Sequence, residues 1–393
     1  MSNSRLVGIS RRKTIGGLIG TAGLIASCGA FGGEAQSDKA SATNPRLLYA
    51  FNPRELERAT LCEGLSFSRS GKYLAIVNSS ATYSRPAFSV WDVEARQCLF
   101  KISDGEVISS VSYKSKPIWG KDDEWVAVGQ PISDGTLLCL DTKTGKNIHR
   151  ITGVTGYIKL NLSGTKLLLK NSGPGLNTPR VSILDIESNE SRQISLVNCS
   201  NKFQLICLAH EWMREDDIFL LGYGSISENN KCDSADIQRS FENKQNPTQH
   251  YFMSVINSND LSTRHILNCD GWPPTYGESS INYATNKICL SGRCIVDANT
   301  LVITPIPYYQ DTAPPGTTDF SPDGNLIYIP ETSIDVRVPS GSNGRKGGIF
   351  DTTTGDRVSQ FPSAIHQAQI SLSPDGRYLA LARDLNVEIY QVG

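Results

Sequence analysis

Methionine is scarce in this 393-residue chain, with only 3 copies. No long stretch repeats Leu, Ala, Glu and Lys at helical spacing, so a helical protein is not expected. Neither charge is in excess: 38 Lys and Arg stand against 39 Asp and Glu, a formal net charge of -1. Proteins that neutralise many phosphates carry a basic surplus or stripe, so nucleic acid is not an expected partner. Histidine is sparse too, with 5 copies: His149, His210, His250, His265 and His366. No pair has zincin spacing and none stands beside a Cys pair at zinc-ribbon spacing, so no metal site is expected. The mature chain has no G-x-S-x-G elbow and no Walker loop, so no catalytic residue is assigned and no cofactor is expected. Long apolar runs are also missing. The longest, residues 15–26, falls short of the roughly 20 residues that a membrane-spanning helix needs.

What is present at the N-terminus reads as an address. Arg11, Arg12 and Lys13 form a basic region ahead of the apolar run, and small residues follow it. That order is that of a secretion signal over residues 1–27. Its glycines mimic a phosphate loop, but no strand precedes them. Ser10-Arg11-Arg12-Lys13-Thr14-Ile15 resembles the twin-arginine export motif, with Thr14 where that motif carries an aromatic. A plain basic region for general secretion would supply the same arginines. Ile25-Ala26-Ser27-Cys28 resembles a bacterial lipobox. That resemblance implies cleavage before Cys28, its acylation, and anchoring to a membrane. Each buried methylene contributes about 0.8 kcal/mol, so several chains together hold firmly. Gly29, rather than Asp, follows the Cys, which by the same resemblance points to the outer membrane. Residues 28–45 then comprise the lipidated Cys and a tether rich in Gly, Ala and Ser, without periodicity or enough apolar content to fold. Its average reach is about 20–25 Å.

The remainder, residues 46–393, repeats. An apolar residue, Ser or an equivalent, two further residues, Gly or Asp, and an apolar strand recur together. Phe67-Ser68-Arg69-Ser70-Gly71, Phe320-Ser321-Pro322-Asp323-Gly324 and Leu372-Ser373-Pro374-Asp375-Gly376 are clear cases. Leu160-Asn161-Leu162-Ser163-Gly164 and Trp119-Gly120-Lys121-Asp122-Asp123 are looser ones. Pro presets φ, Asp bonds the backbone ahead, and Gly takes the positive φ of a hairpin turn. A second pattern follows each first one: a strand ending in Asp (Asp92, Asp141, Asp185, Asp297, Asp351) or Asn (Asn257), then a short polar turn and another strand. Two hairpins make a four-stranded antiparallel unit, recurring at roughly 40–70 residues, the spacing of propeller blades. The expected fold is therefore all-β: a seven-bladed β-propeller of four-stranded antiparallel blades at 58–102, 105–152, 155–197, 201–267, 277–306, 315–361 and 364–393. The fifth blade has no clear turn signature in its first hairpin. The last lacks a fourth strand, and the apolar segment 47–51 is predicted to fill that vacancy and close the ring.

The Ser-Pro-Asp-Gly turns resemble those of TolB-like and YVTN-type bacterial propeller repeats more than eukaryotic WD repeats. Trp91-Asp92 mimics a WD dipeptide without a Gly-His partner upstream. The resemblance covers nearly all of residues 46–393. It implies the fold and leaves function open, since such folds host enzymes, receptors and scaffolds alike.

Ten cysteines in an exported protein point to disulfides. Acylation of Cys28 would leave an odd number. Cys289 and Cys294 flank a Leu-Ser-Gly-Arg turn, a spacing expected to set them opposite each other and to permit a bridge. Cys199, Cys207, Cys232 and Cys269 cluster around the fourth blade. The longest insertion, 225–249, joins that blade's second and third strands, and a Gly-rich loop at 340–348 carries Arg345 and Lys346. Two blade connections on the same face, 268–278 and 307–316, hold Trp272, Tyr276, Tyr308 and Tyr309 among prolines. Aromatics on rigid loops make good contacts for proteins or sugars; they serve equally well to pack the rim. The sequence thus points to a lipid-anchored scaffold in the bacterial envelope, facing the periplasm or the exterior, with an unidentified envelope protein or glycan as partner. The alternatives are a propeller enzyme (a lactonase-like hydrolase or quinone-dependent dehydrogenase) with its site at the central channel, or a glycan-binding module. Polar titratable groups converging on the axis would favour the enzyme.

Overall fold

The computed structural model describes residues 45–52, 59–80, 87–102, 116–128, 136–152, 154, 157–171, 180–194, 204–214, 217–225, 250–268, 279–306, 317–330, 347–360, 369–383 and 386–392. These form seven four-stranded antiparallel sheets. Six sheets follow chain order, and the seventh runs Arg46–Phe51, Asn386–Gln391, Tyr378–Arg383, Gln369–Leu372, with Arg46–Phe51 paired to Asn386–Gln391. Leu47 lies opposite Tyr390 and Phe51 opposite Val387. The molecule is a seven-bladed β-propeller whose N-terminal strand supplies the outermost strand of the last blade. Among the described residues there is no α-helix, and 3-10 structure occurs at Lys121–Asp123 and at Arg214. No described helix is long and apolar enough to cross a membrane.

Seven buried clusters hold the ring together, one at each junction between neighbouring blades. Side chains alternate across a strand, and each blade is covered on both faces. Middle strands therefore read as continuous apolar runs. Tyr73, Ala75 and Val77 face the second blade while Leu74 and Ile76 face the seventh.

The same alternation overturns the expected Cys289–Cys294 disulfide. Neither cysteine is in a disulfide. The hairpin pairs Cys294 with Leu290 and Cys289 with Ile295. Ser291 and Gly292 take positive φ at its tip, and the register differs by one residue from a direct Cys–Cys pairing. A one-residue difference sends a side chain to the opposite face. Cys294 packs between blades four and five, Cys289 between five and six.

The two repeated turns have distinct hydrogen-bond patterns. In the first, the hydroxyls of Ser68, Ser321 and Ser373 accept from the N–H five residues on, at 3.1, 2.9 and 2.8 Å. The Gly three residues on donates to the Ser carbonyl and takes positive φ. Asn161 does the same work with its amide oxygen, accepting from Lys166 N at 2.9 Å. In the second turn the strand-final carboxylate or amide oxygen accepts from the next N–H groups, as Asp141 does from Thr144 N at 2.7 Å and Asp185 from Ser188 N at 2.9 Å. Four residues after that cap a residue of positive φ closes the hairpin: Arg96, Gly145, Asn189, Leu261, Leu301 and Gly355. The fifth blade's first hairpin uses this second turn. Asn282 accepts from Thr285 N at 2.9 Å, and Asn286, four residues on, takes φ 55.

Candidate functional site

The innermost strand of each blade is an edge strand. Its outward N–H groups have no ladder partner and must be satisfied otherwise. Here side chains of neighbouring blades do so. Phe67 N donates to Ser371 Oγ at 3.1 Å, Leu372 N to Asp319 Oδ2 at 3.0 Å, and Ile370 N to Thr317 Oγ1 at 3.1 Å. Ser280 and Thr318 hydroxyls meet at 2.7 Å. The polar residues of the innermost strands thus stitch the ring from within.

The position two residues before each first turn holds Ser66, Ile118, Lys159, Glu211, Ser280, Asp319 and Ser371. The charged members join ion pairs. Lys159 Nζ lies 2.9 Å from Glu211 Oε1, with the Glu side chain buried, and also donates to Ser279 O at 3.1 Å. One lysine thereby links blades three, four and five. Lys116 Nζ reaches across from blade two to Asp319 Oδ2 in blade six, at 3.5 Å. Arg69 crosses from blade one to blades two and three. Its Nε donates to Trp119 O at 3.3 Å and its Nη2 to Asn161 O at 2.9 Å, and Nη1 bonds Leu162 O. Asp123, held at φ 58, accepts the N–H groups of Arg69 and Ser70 at 2.8 and 3.2 Å. Burial lowers the Arg69 pKa, against the opposing influence of Tyr283, Asp123 and Asp122. Burial holds the Tyr283 phenol well above its ordinary value, Glu211 adds to that, and Arg69 opposes it. That phenol is a proton holder, not a base.

The axis therefore gathers titratable groups from most blades, yet the cations face carboxylates or carbonyls of the ring itself. Such an arrangement binds blade to blade. Among the described residues no group of three His, Cys, Asp or Glu side chains is arranged to hold a metal. His149 lies on the fourth strand of blade two, exposed, and His265 on that of blade four. His210 is buried in an inner strand.

The aromatics Trp272, Tyr276, Tyr308 and Tyr309 lie outside the described residues. So do Arg11, Arg12, Cys28, the loop 226–249, Arg345, Lys346, Cys199, Cys232 and Cys269. The strands that flank these loops stand where expected: Asp217–Ser225 ends where the insertion begins and His250–Asn257 follows it. Trp91-Asp92 is not a WD-type pair. The indole donates to Ser89 Oγ at 3.0 Å, and Asp92 caps its turn through Ala95 N at 2.9 Å.

Sequence reasoning passed over Lys116, Lys159, Glu211 and Arg69. For Lys159 and Glu211 the signal is positional: a charge two residues before the first turn falls on the innermost strand, whereas Lys116 precedes its strand and Arg69 follows its turn serine, so that rule reaches neither. Comparison with protein-family models returned no match, and comparison with curated proteins returned none either. The class rests on geometry: a closed seven-bladed propeller with an ion-paired axis.

Proposed function

We propose that this chain is an exported, lipid-anchored propeller of the TolB-like or YVTN-type, working as an interaction scaffold in the bacterial envelope. The observation that carries the reading is the closing strand. Arg46–Phe51 starts where the tether ends and is hydrogen-bonded into the seventh blade, so an anchor at Cys28 would attach to the rim of a closed ring. The ion-paired axis adds support, because its charges bind blades to one another.

The convergence of Lys116, Asp319, Lys159 and Glu211 also favours a second reading, a channel-sited hydrolase or dehydrogenase. The scaffold reading leads because these groups are already paired. A glycan-binding role would rest on Trp272, Tyr276, Tyr308 and Tyr309.

Affinity purification of the full chain from solubilised envelopes decides between the readings. The scaffold reading expects a stoichiometric protein partner and no turnover of lactones or alcohols. Turnover without a partner, lost in Lys159→Met, contradicts it. Metabolic labelling with a fatty acid should mark the wild type and not Cys28→Ala; retained label refutes the anchor site.

A further inference from the structure

The seam where the ring closes contains a cavity of about 240 Å³, lined by Tyr49, Ala50 and Phe51 of the closing strand and by Leu74, Trp91, Asp92, Val93 and Arg96 of the first blade. Its walls are aromatic. Phe51 and Trp91 pack with ring centroids 4.3 Å apart, and Tyr49 stacks beside Phe51 at 6.1 Å. The polar tips of these rings are engaged elsewhere: Tyr49 OH donates to Val93 O at 2.7 Å and the Trp91 indole to Ser89 Oγ. Leu74 and Val93 are buried. What faces the cavity is therefore aromatic carbon and aliphatic floor.

One cation stands at its lip. Arg96 is exposed, and its guanidinium lies 4.8 Å from the Tyr49 ring centroid. It occupies the left-handed position of its turn, φ 56, where glycine serves two other blades. A side chain there is conformationally unfavourable, so the turn itself gives no reason for an arginine. No carboxylate pairs with it among the described residues. Asp92, the nearest acid in the lining, is directed to Ala95 N at 2.9 Å and to Lys72 Nζ at 3.8 Å. Arg stacked on an aromatic face keeps its edge donors free for a planar anion.

We infer that this seam cavity binds a small aromatic carboxylate, its ring against Trp91, Phe51 and Tyr49 and its carboxylate on Arg96. The volume is below the roughly 300–1,000 Å³ of sites for drug-sized ligands, which fits a single ring with a short acidic arm. Because one wall belongs to the closing strand and the other to blade one, occupancy also staples the ring shut. A ligand that binds only the closed ring raises its stability by mass action. This inference stands apart from the scaffold reading, since it needs neither a protein partner nor an anchor.

The probes are 3-phenylpropionate and its neutral amide, titrated against the full chain in detergent by tryptophan fluorescence and by thermal melting. The wild type should bind the acid at least about tenfold more tightly than the amide, as expected for a charge-assisted contact, and melt at a higher temperature as the acid is added. Arg96→Gln should erase the preference for the acid. Arg96→Gly should do the same while suiting the left-handed turn, so loss of binding there is not loss of fold. Trp91→Leu should weaken acid and amide together. Equal affinity of the wild type for both probes, no saturable binding at millimolar acid, or undiminished acid binding by Arg96→Gly overturns the inference.

Discussion

Gly355 and Asn189 fill the same slot in different blades, the left-handed residue that ends the second turn. At Gly355 a Cβ would run into Pro305 O of the preceding blade, so Gly355→Ala combines backbone strain with a backbone clash. A loss of about 1–3 kcal/mol is expected in chemical denaturation. Asn189→Gly relieves the milder cost of an L-residue at φ 56, and should be neutral or stabilising by up to about 1 kcal/mol. Cysteine gives a second test at this scale. Burial pushes the Cys139 and Cys289 thiols from 9.0 up to about 12. A group whose pKa rises on folding stabilises the fold fully below its unfolded value and loses that contribution as pH climbs through the folded one. These two thiols should thus leave stability intact up to about pH 9 and erode it between pH 9 and about 12. A thiol reagent at neutral pH should leave both unmodified until the protein is unfolded; rapid modification of either in the native state would contradict their burial. At the acid end, burial alone would raise Asp323 and Asp375, but hydrogen bonds from Ser321, Asn325, Ser373 and Arg377 outweigh it and lower both. Their contribution is present above the unfolded carboxylate value and is lost as pH falls through the folded one.

At the scale of the element, Arg69 gives the sharpest prediction. One side chain bonds carbonyls in the second and third blades from a turn in the first. Arg69→Met removes this donor from all three carbonyls, although Asn161 O keeps the Gly164 N–H, and should cost about 1–3 kcal/mol. Arg69→Lys should recover little, since a single ammonium lacks the planar spread of donors. A melting temperature within a degree of wild type for Arg69→Met would remove Arg69 from the account. The elements also show what the sequence could and could not disclose. The Ser-Pro-Asp-Gly and strand-final Asp turns are local hydrogen-bond devices, so their residues declare them, and blade boundaries followed. The fifth blade's first hairpin stayed hidden because Asn282 and Asn286 build there the turn that elsewhere closes the second hairpin. The Cys289–Cys294 pairing failed because a spacing does not fix the register of a turn, and the register decides the face. Lys116 and Asp319 were illegible as a pair because they come from blades on opposite sides of the axis.

For the whole molecule, closure is the claim on which the rest depends. A propeller left open would expose the edge of Asn386–Gln391 and the apolar face that Tyr49 and Phe51 cover, inviting aggregation. The scaffold reading needs a rigid ring, and the seam cavity exists only where the closing strand meets blade one. Hydrogen exchange on the full chain measures this directly, amide by amide, along the closing strand Arg46–Phe51. The hydrogen-bonded amides of Arg46–Phe51 should exchange as slowly as those of their partner strand Asn386–Gln391, within the same cooperative opening. Exchange of Arg46–Phe51 at the rate of a free peptide, with the partner strand still protected, would contradict closure by the N-terminal strand.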